Sequence, residues 1–67
     1  GLKYLQEMLT LRQKLYPGLD HPDVAHSLHE VGSSLERMGQ HSKGVRLMRK
    51  GLAMRQRLLR GNSGFTR

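Results

Sequence analysis

Apolar positions along the chain fall into three runs with helical spacing. In the first, Leu2, Leu5, Leu9 and Leu15, with Met8 beside them, form one stripe, which predicts a helix over residues 2–16. Tyr16, Pro17 and Gly18 stop it, because proline disfavours α geometry in the residue before it and glycine supplies a left-handed turn. The second run opens on Asp20, His21, Pro22 and Asp23. Proline at a first helical position wastes no donor, a capping side chain just before it satisfies free amides, and Asp23 suits the positive end of the helix dipole. Val24, Leu28, Val31, Leu35 and Met38 then follow at steps of four, three, four and three, the seam of a packed helix that Gly39 ends. The third run, from about Ser42 to Arg60, places Val45, Leu47, Met48, Leu52, Met54, Leu58 and Leu59 over about half of the helix circumference. Lys43, Arg46, Arg49, Lys50, Arg57 and Arg60 take the opposite arc. Residues 61–67 show no periodicity and are expected to form a flexible tail.

Sliding the chain along itself by 43 residues lays Gly1–Gly18 over Gly44–Gly61. Leu9 then meets Leu52, Arg12 meets Arg55, Gln13 meets Gln56, Leu15 meets Leu58 and Gly18 meets Gly61. Conservative pairs include Leu2 with Val45, Leu5 with Met48 and Lys14 with Arg57. Two unrelated amphipathic helices share an apolar seam, but an Arg-Gln pair in the same register needs another explanation. A period between 20 and 50 residues marks stacked repeats.

Composition narrows the architecture. A chain of 67 residues holds one domain at most, and at this size only about 60% of the unfolded surface is buried. There is no cysteine, so disulfides are excluded and a reducing, cytoplasmic setting fits. The aromatics are only Tyr4, Tyr16 and Phe65, leaving Leu, Met and Val to build the core, which suits packed helices. No run approaches the ~18 apolar residues of a membrane span, and the N-terminus, which starts on Gly1 inside a helical pattern, shows no signal-peptide organisation. The net charge of +7 is unevenly placed. Residues 1–39 hold four basic and five acidic side chains, whereas residues 40–67 hold eight basic and none acidic, an asymmetry that points to an acidic partner.

These segments resemble the tetratricopeptide repeat family, in particular the long-period repeats of kinesin light chain-like proteins. His21, Pro22, Asp23, Val24 and Ala25, following Tyr16 to Asp20, are similar to that group's inter-repeat loop and helix start. Leu28, Val31, Gly32 and Leu35 match first-helix positions of the repeat, Gly44, Met48 and Gly51 match second-helix positions, and Gly39-Gln40 matches the turn between them. The resemblance implies an all-α fold of antiparallel helical hairpins, a solenoid fragment of about three helices. Residues 1–16 would be the second helix of one repeat and residues 21–60 a complete next repeat. Glycine inside a helix costs about 0.5–1 kcal/mol against alanine, tolerable where two backbones approach closely. The family usually carries alanine where Gly44 and Gly51 stand and an aromatic where Leu35 and Met48 stand, which predicts a loose hairpin.

Catalysis is not expected. No cysteine, serine elbow, phosphate loop or supported acid–base pair is present, and no cofactor is called for. His26 and His29 are three apart with His21 a turn earlier, but a zinc site wants three or four supported ligands, so polar-face histidines are the expectation and no metal is assigned. The family's first helices line a concave groove, which implies that His26, His29, Ser33 and Arg37 touch a partner and would respond to pH through the histidines. The resemblance thus implies a protein–protein interaction scaffold binding another protein or an acidic peptide. With so few repeats it also implies either a longer array or a homo-oligomer. The basic helix keeps further readings open: a solvated outer face, or a module for nucleic acid or an anionic membrane. No tryptophan or phenylalanine lies on its apolar face for lipid, and no aromatic interleaves its charges for base stacking.

Overall fold

Each of the three expected helices forms, and each ends within a residue or so of its sequence signal. In the computed structural model, which describes residues 1–61, α1 spans Leu2–Leu15, α2 spans Pro22–Arg37 and α3 spans His41–Leu59. The expected tail beyond Gly61 lies outside the described residues. α2 begins with Pro22 in its first turn, and the side chain that caps it belongs to His21, whose Nδ1 accepts from the Asp23 N–H at 3.1 Å. The same imidazole stacks on the Tyr16 ring with centroids 3.6 Å apart, so one side chain closes the loop and starts the helix. Gly18 and Gly61, equivalent under the 43-residue shift, both sit in the left-handed region, at φ 71° and 74°. The repeat therefore extends to the turn that leaves each helix.

α2 is packed on two sides. α3 folds back along one side through the short Met38–Gln40 turn, and α1 lies along another; no Cα of α1 comes within 8 Å of α3. The helices make an open slab with extents of 41 × 20 × 13 Å rather than a closed bundle. Every buried apolar side chain among the described residues belongs to the middle helix: Val24, Ala25, Leu28, Val31 and Leu35. The seam at steps of four and three is the core as far as Leu35; Met38, its expected last member, stands at the helix end and is 60% exposed. α1 has no buried residue, and the buried residues of α3 are glycines, Gly44 and Gly51.

Those glycines explain how α2 and α3 meet. A Cβ built on Gly44 would lie 2.5 Å from the Gly32 carbonyl oxygen and 2.8 Å from the Glu36 nitrogen. One on Gly32 would lie 2.6 Å from the Gly44 carbonyl oxygen, and one on Gly51 would lie 2.8 Å from the Ala25 carbonyl oxygen. The helices touch backbone to backbone at Gly32 and Gly44, leaving no room for a methyl group. This corrects the expectation of a loose hairpin: the glycines at 44 and 51 do not thin the interface but let it close. Met48, the structural position expected beside them, is half-buried against Gly32.

Candidate protein-interaction surface

At 100° per residue, His26, His29, Ser33 and Arg37 share an arc of about 80° on α2, whose His29 edge borders α3. His26, His29 and Arg37 are exposed and Ser33 is half-buried. The four differ in their surroundings. His26 Nε2 lies 3.3 Å from the Glu30 carboxylate one turn on. His29 stands at the edge of the arc, where it helps to line a crevice of about 250 Å³ between α2 and α3 with Met48, Leu52, Arg49 and Arg55. Arg37 has no carboxylate partner among the described residues, leaving its guanidinium open to an external acid. Among the described residues no three His, Asp or Glu side chains converge as a metal-binding group would.

The basic arc of α3 is mostly as expected. Lys43, Arg46, Arg49, Lys50 and Arg60 are exposed, and the first turn of the helix carries no acid to offset them. Arg57 departs from this pattern. Its Nε and Nη2 donate to the two carboxylate oxygens of Asp20 at 2.7 and 2.8 Å, a bidentate fork across 37 residues. The Asp20 side chain is only 15% exposed, and its hydrogen bonds to Arg57 hold its carboxyl below the usual 3.8 despite the opposing effect of desolvation. The same bonds push the Arg57 guanidinium upward. Arg57 is thus a strut joining the α1–α2 loop to the end of α3, and is not part of the solvated surface to which its place in the basic arc assigned it.

A second strut went unassigned in the sequence. Arg12 of α1 donates through Nη1 to the Ser27 hydroxyl at 2.7 Å and to the Asp23 carbonyl at 3.3 Å. Ser27, only 1% exposed, is the buried polar side chain of the core, and this bond satisfies it. The signal was present in the repeat: Arg12 and Arg55 coincide although neither is needed for an apolar seam. α1 in turn exposes Tyr4, Leu11 and Leu15 along one stripe, so Leu15, at 61%, does not join the packed stripe of Leu2, Leu5 and Leu9 expected of it; α3 exposes Leu52 and Leu59, the latter at 84%.

An antiparallel helical hairpin with a further helix stacked on its first member, repeating in sequence at both ends, defines a module of the α-helical repeat class. The family model for the tetratricopeptide repeat matches residues 24–60, more than half of the chain. The chain belongs to the tetratricopeptide repeat family, whose members serve in general as non-catalytic modules for protein–protein interaction. No curated protein and no solved structure gave a match. No described helix is long and apolar enough to cross a membrane.

Proposed function

We propose that the open side of α2 receives a short acidic segment of a partner protein, contacted by His26, Ser33 and Arg37 with His29 at the margin. The observation that carries the reading is the position of Arg37. It is exposed and without a carboxylate partner among the described residues, about two and three turns along the same arc from the exposed His29 and His26. Lys43, Arg46 and Lys50 of α3 add positive field without contact, raising encounter rates with an acidic ligand more than they raise affinity. The loop and helix start at residues 16–25 favour the long-period, kinesin light chain-like branch of the family, and the absence of cysteine suits the cytoplasm.

On this reading residues 1–16 are the second helix of a preceding repeat and residues 21–60 a complete hairpin. The bare stripe of Tyr4, Leu11 and Leu15 is then the face that a missing first helix covers, in a longer array or through a second copy. A displayed library of short acidic peptides, selected on the chain at physiological salt, tests the groove. Selected peptides should lose affinity with Arg37→Ala and with the double change His26→Ala and His29→Ala, while circular dichroism stays unchanged. Affinity indifferent to both variants sinks the assignment. The basic surface of α3 supports a second reading, binding to nucleic acid or anionic membrane, in which any polyanion binds without sequence preference and releases steeply between low and physiological salt.

A further inference from the structure

α1 and α3 share a register 43 residues apart, yet their outer faces, turned from α2, differ in charge. Each carries an open depression at the same place in that register. On α1 it is lined by Lys3, Gln6, Glu7 and Thr10, and on α3 by their equivalents Arg46, Arg49, Lys50 and Ala53. The shape repeats, but Gln6 becomes Arg49 and Glu7 becomes Lys50. A mixed, neutral set suffices to keep this face of α1 in water, so the cations on α3 are additional to that need. They belong to a longer row. Lys43, Arg46, Arg49, Lys50, Arg57 and Arg60 fall within about 120° of the helix circumference and span about 25 Å along its axis. The row lies across the helix from Gly44 and Gly51, which meet α2. Apart from Arg57, which Asp20 holds, none of these cations pairs with an acid or donates a hydrogen bond among the described residues.

We propose that this outer face of α3 grips the phosphate backbone of double-stranded nucleic acid. The backbone seats at the Ala53 depression between Arg46, Arg49 and Lys50, and Lys43 and Arg60 extend the contact at either end. The inference rests on the second reading of the α3 surface given above, and names its partner and its contacts. A protein docked here would need a buried apolar or aromatic anchor. The arc holds no apolar side chain larger than Ala53, and Val45 at the edge of the depression is half-buried. An anionic membrane calls for apolar groups that sink among the lipids, and the exposed Leu52 and Leu59 lie outside the arc. A single strand calls for aromatic platforms under its bases, and α3 contains none. A duplex requires neither, because neutralised phosphates release counterions and that release supplies the affinity. Arginine at positions 46, 49 and 60 suits the forked recognition of phosphate oxygens. With no side chain reaching a base, binding is indifferent to sequence.

The probe is a fluorescein-labelled duplex DNA of about 20 base pairs, titrated with the full 67-residue protein by anisotropy between about 50 and 200 mM salt. Saturable binding is expected, with the logarithm of affinity falling linearly against that of salt. Arg49→Gln combined with Lys50→Glu gives α3 the residues that α1 carries at the same register, so circular dichroism should show the helix retained. This pair should weaken binding about tenfold or more at the lower salt and reduce the salt slope by about 2. Lys3→Gln combined with Lys14→Glu removes the same net charge from α1 and should leave affinity and slope nearly unchanged. Arg37→Ala should do likewise, which separates the site from the α2 side. Equal losses from the α1 and α3 pairs reduce the effect to net charge and overturn the proposal. Tighter binding of a single strand of the same length also overturns it. Failure on the duplex, with α3-dependent binding to vesicles of equal parts phosphatidylserine and phosphatidylcholine, makes a membrane the occupant and leaves the second reading standing without this inference. Failure on both polyanions removes both.

Discussion

The two interfaces of α2 are built on opposite principles. Against α3 it presents backbone: Gly32 and Gly44 touch with no side chain between them, and Gly51 rests on the Ala25 carbonyl. Against α1 it meets side chains: a half-buried apolar stripe of α1 and Arg12, which reaches across to Ser27 and Asp23 of α2. The first kind of contact is close and intolerant, since every added atom meets a main chain that cannot rotate away. The second is adjustable, since flexible side chains give way at modest cost. Glycine contact fixes the hairpin as a unit, and arginine contact lets successive units be added with the same fitting.

The sharpest way to break this contrast is Gly44→Ala. A methyl there meets the Gly32 carbonyl oxygen and the Glu36 nitrogen, so the helices must separate, at a cost of about 1–3 kcal/mol as in other overpacked interiors. Thermal melts followed by circular dichroism should show a large loss of stability. A melt like that of the unchanged protein would show that the backbones are not in contact. Arg12→Ala probes the other interface and should cost about 1–3 kcal/mol, since it leaves the buried Ser27 hydroxyl without its partner. Its effect should centre on α1, with faster amide exchange there and little change at Gly44 or Gly51. Equal loss of protection in α3 would erase the distinction between the interfaces.

The smallest expected effect is a pH dependence at the Asp20–Arg57 strut. The Asp20 carboxyl titrates lower in the folded chain than its unfolded value of 3.8. Its contribution is therefore present above that value and fades as pH falls through it toward the lowered folded one. On the alkaline side, the raised Arg57 leaves the strut charged throughout the accessible range. Melting temperature should drop more steeply in the unchanged protein than in Asp20→Asn as pH falls from about 5 to 3. Parallel slopes would show that the pair is broken in solution.

Much of this arrangement was legible in the residues. Pro22, Gly18 and Gly39 marked the helix ends because their backbone constraints are local, and the α2 seam named the core because helical spacing maps directly onto a face. The close crossing was legible at Gly32, but Gly44 and Gly51 were misread as weak points when weighed one at a time. Their meaning appears only in pairs, glycine against glycine or against a carbonyl across the helix gap. Asp20 and Arg57 were invisible for a related reason: 37 residues separate them, and an arginine on a basic arc carries no mark of being bound. Arg12 is intermediate. The shifted self-match singled it out, although only coordinates show that it reaches the buried Ser27. The four α2 side chains offered as a partner surface were legible as one face, since a face follows from spacing, whereas their ligand does not.

The absence of any close approach between α1 and α3 has a thermodynamic corollary. Changes at the two ends of the molecule, such as Arg12→Ala and an alteration at the tip of α3, should combine additively, as do distant sites with no shared partner. Only α2 and the loop that leads into it through Asp20 can transmit a perturbation from one end to the other. In a lengthening stack of such units, influence would decay neighbour by neighbour, so a ligand held at one hairpin would be felt by the next and scarcely beyond it.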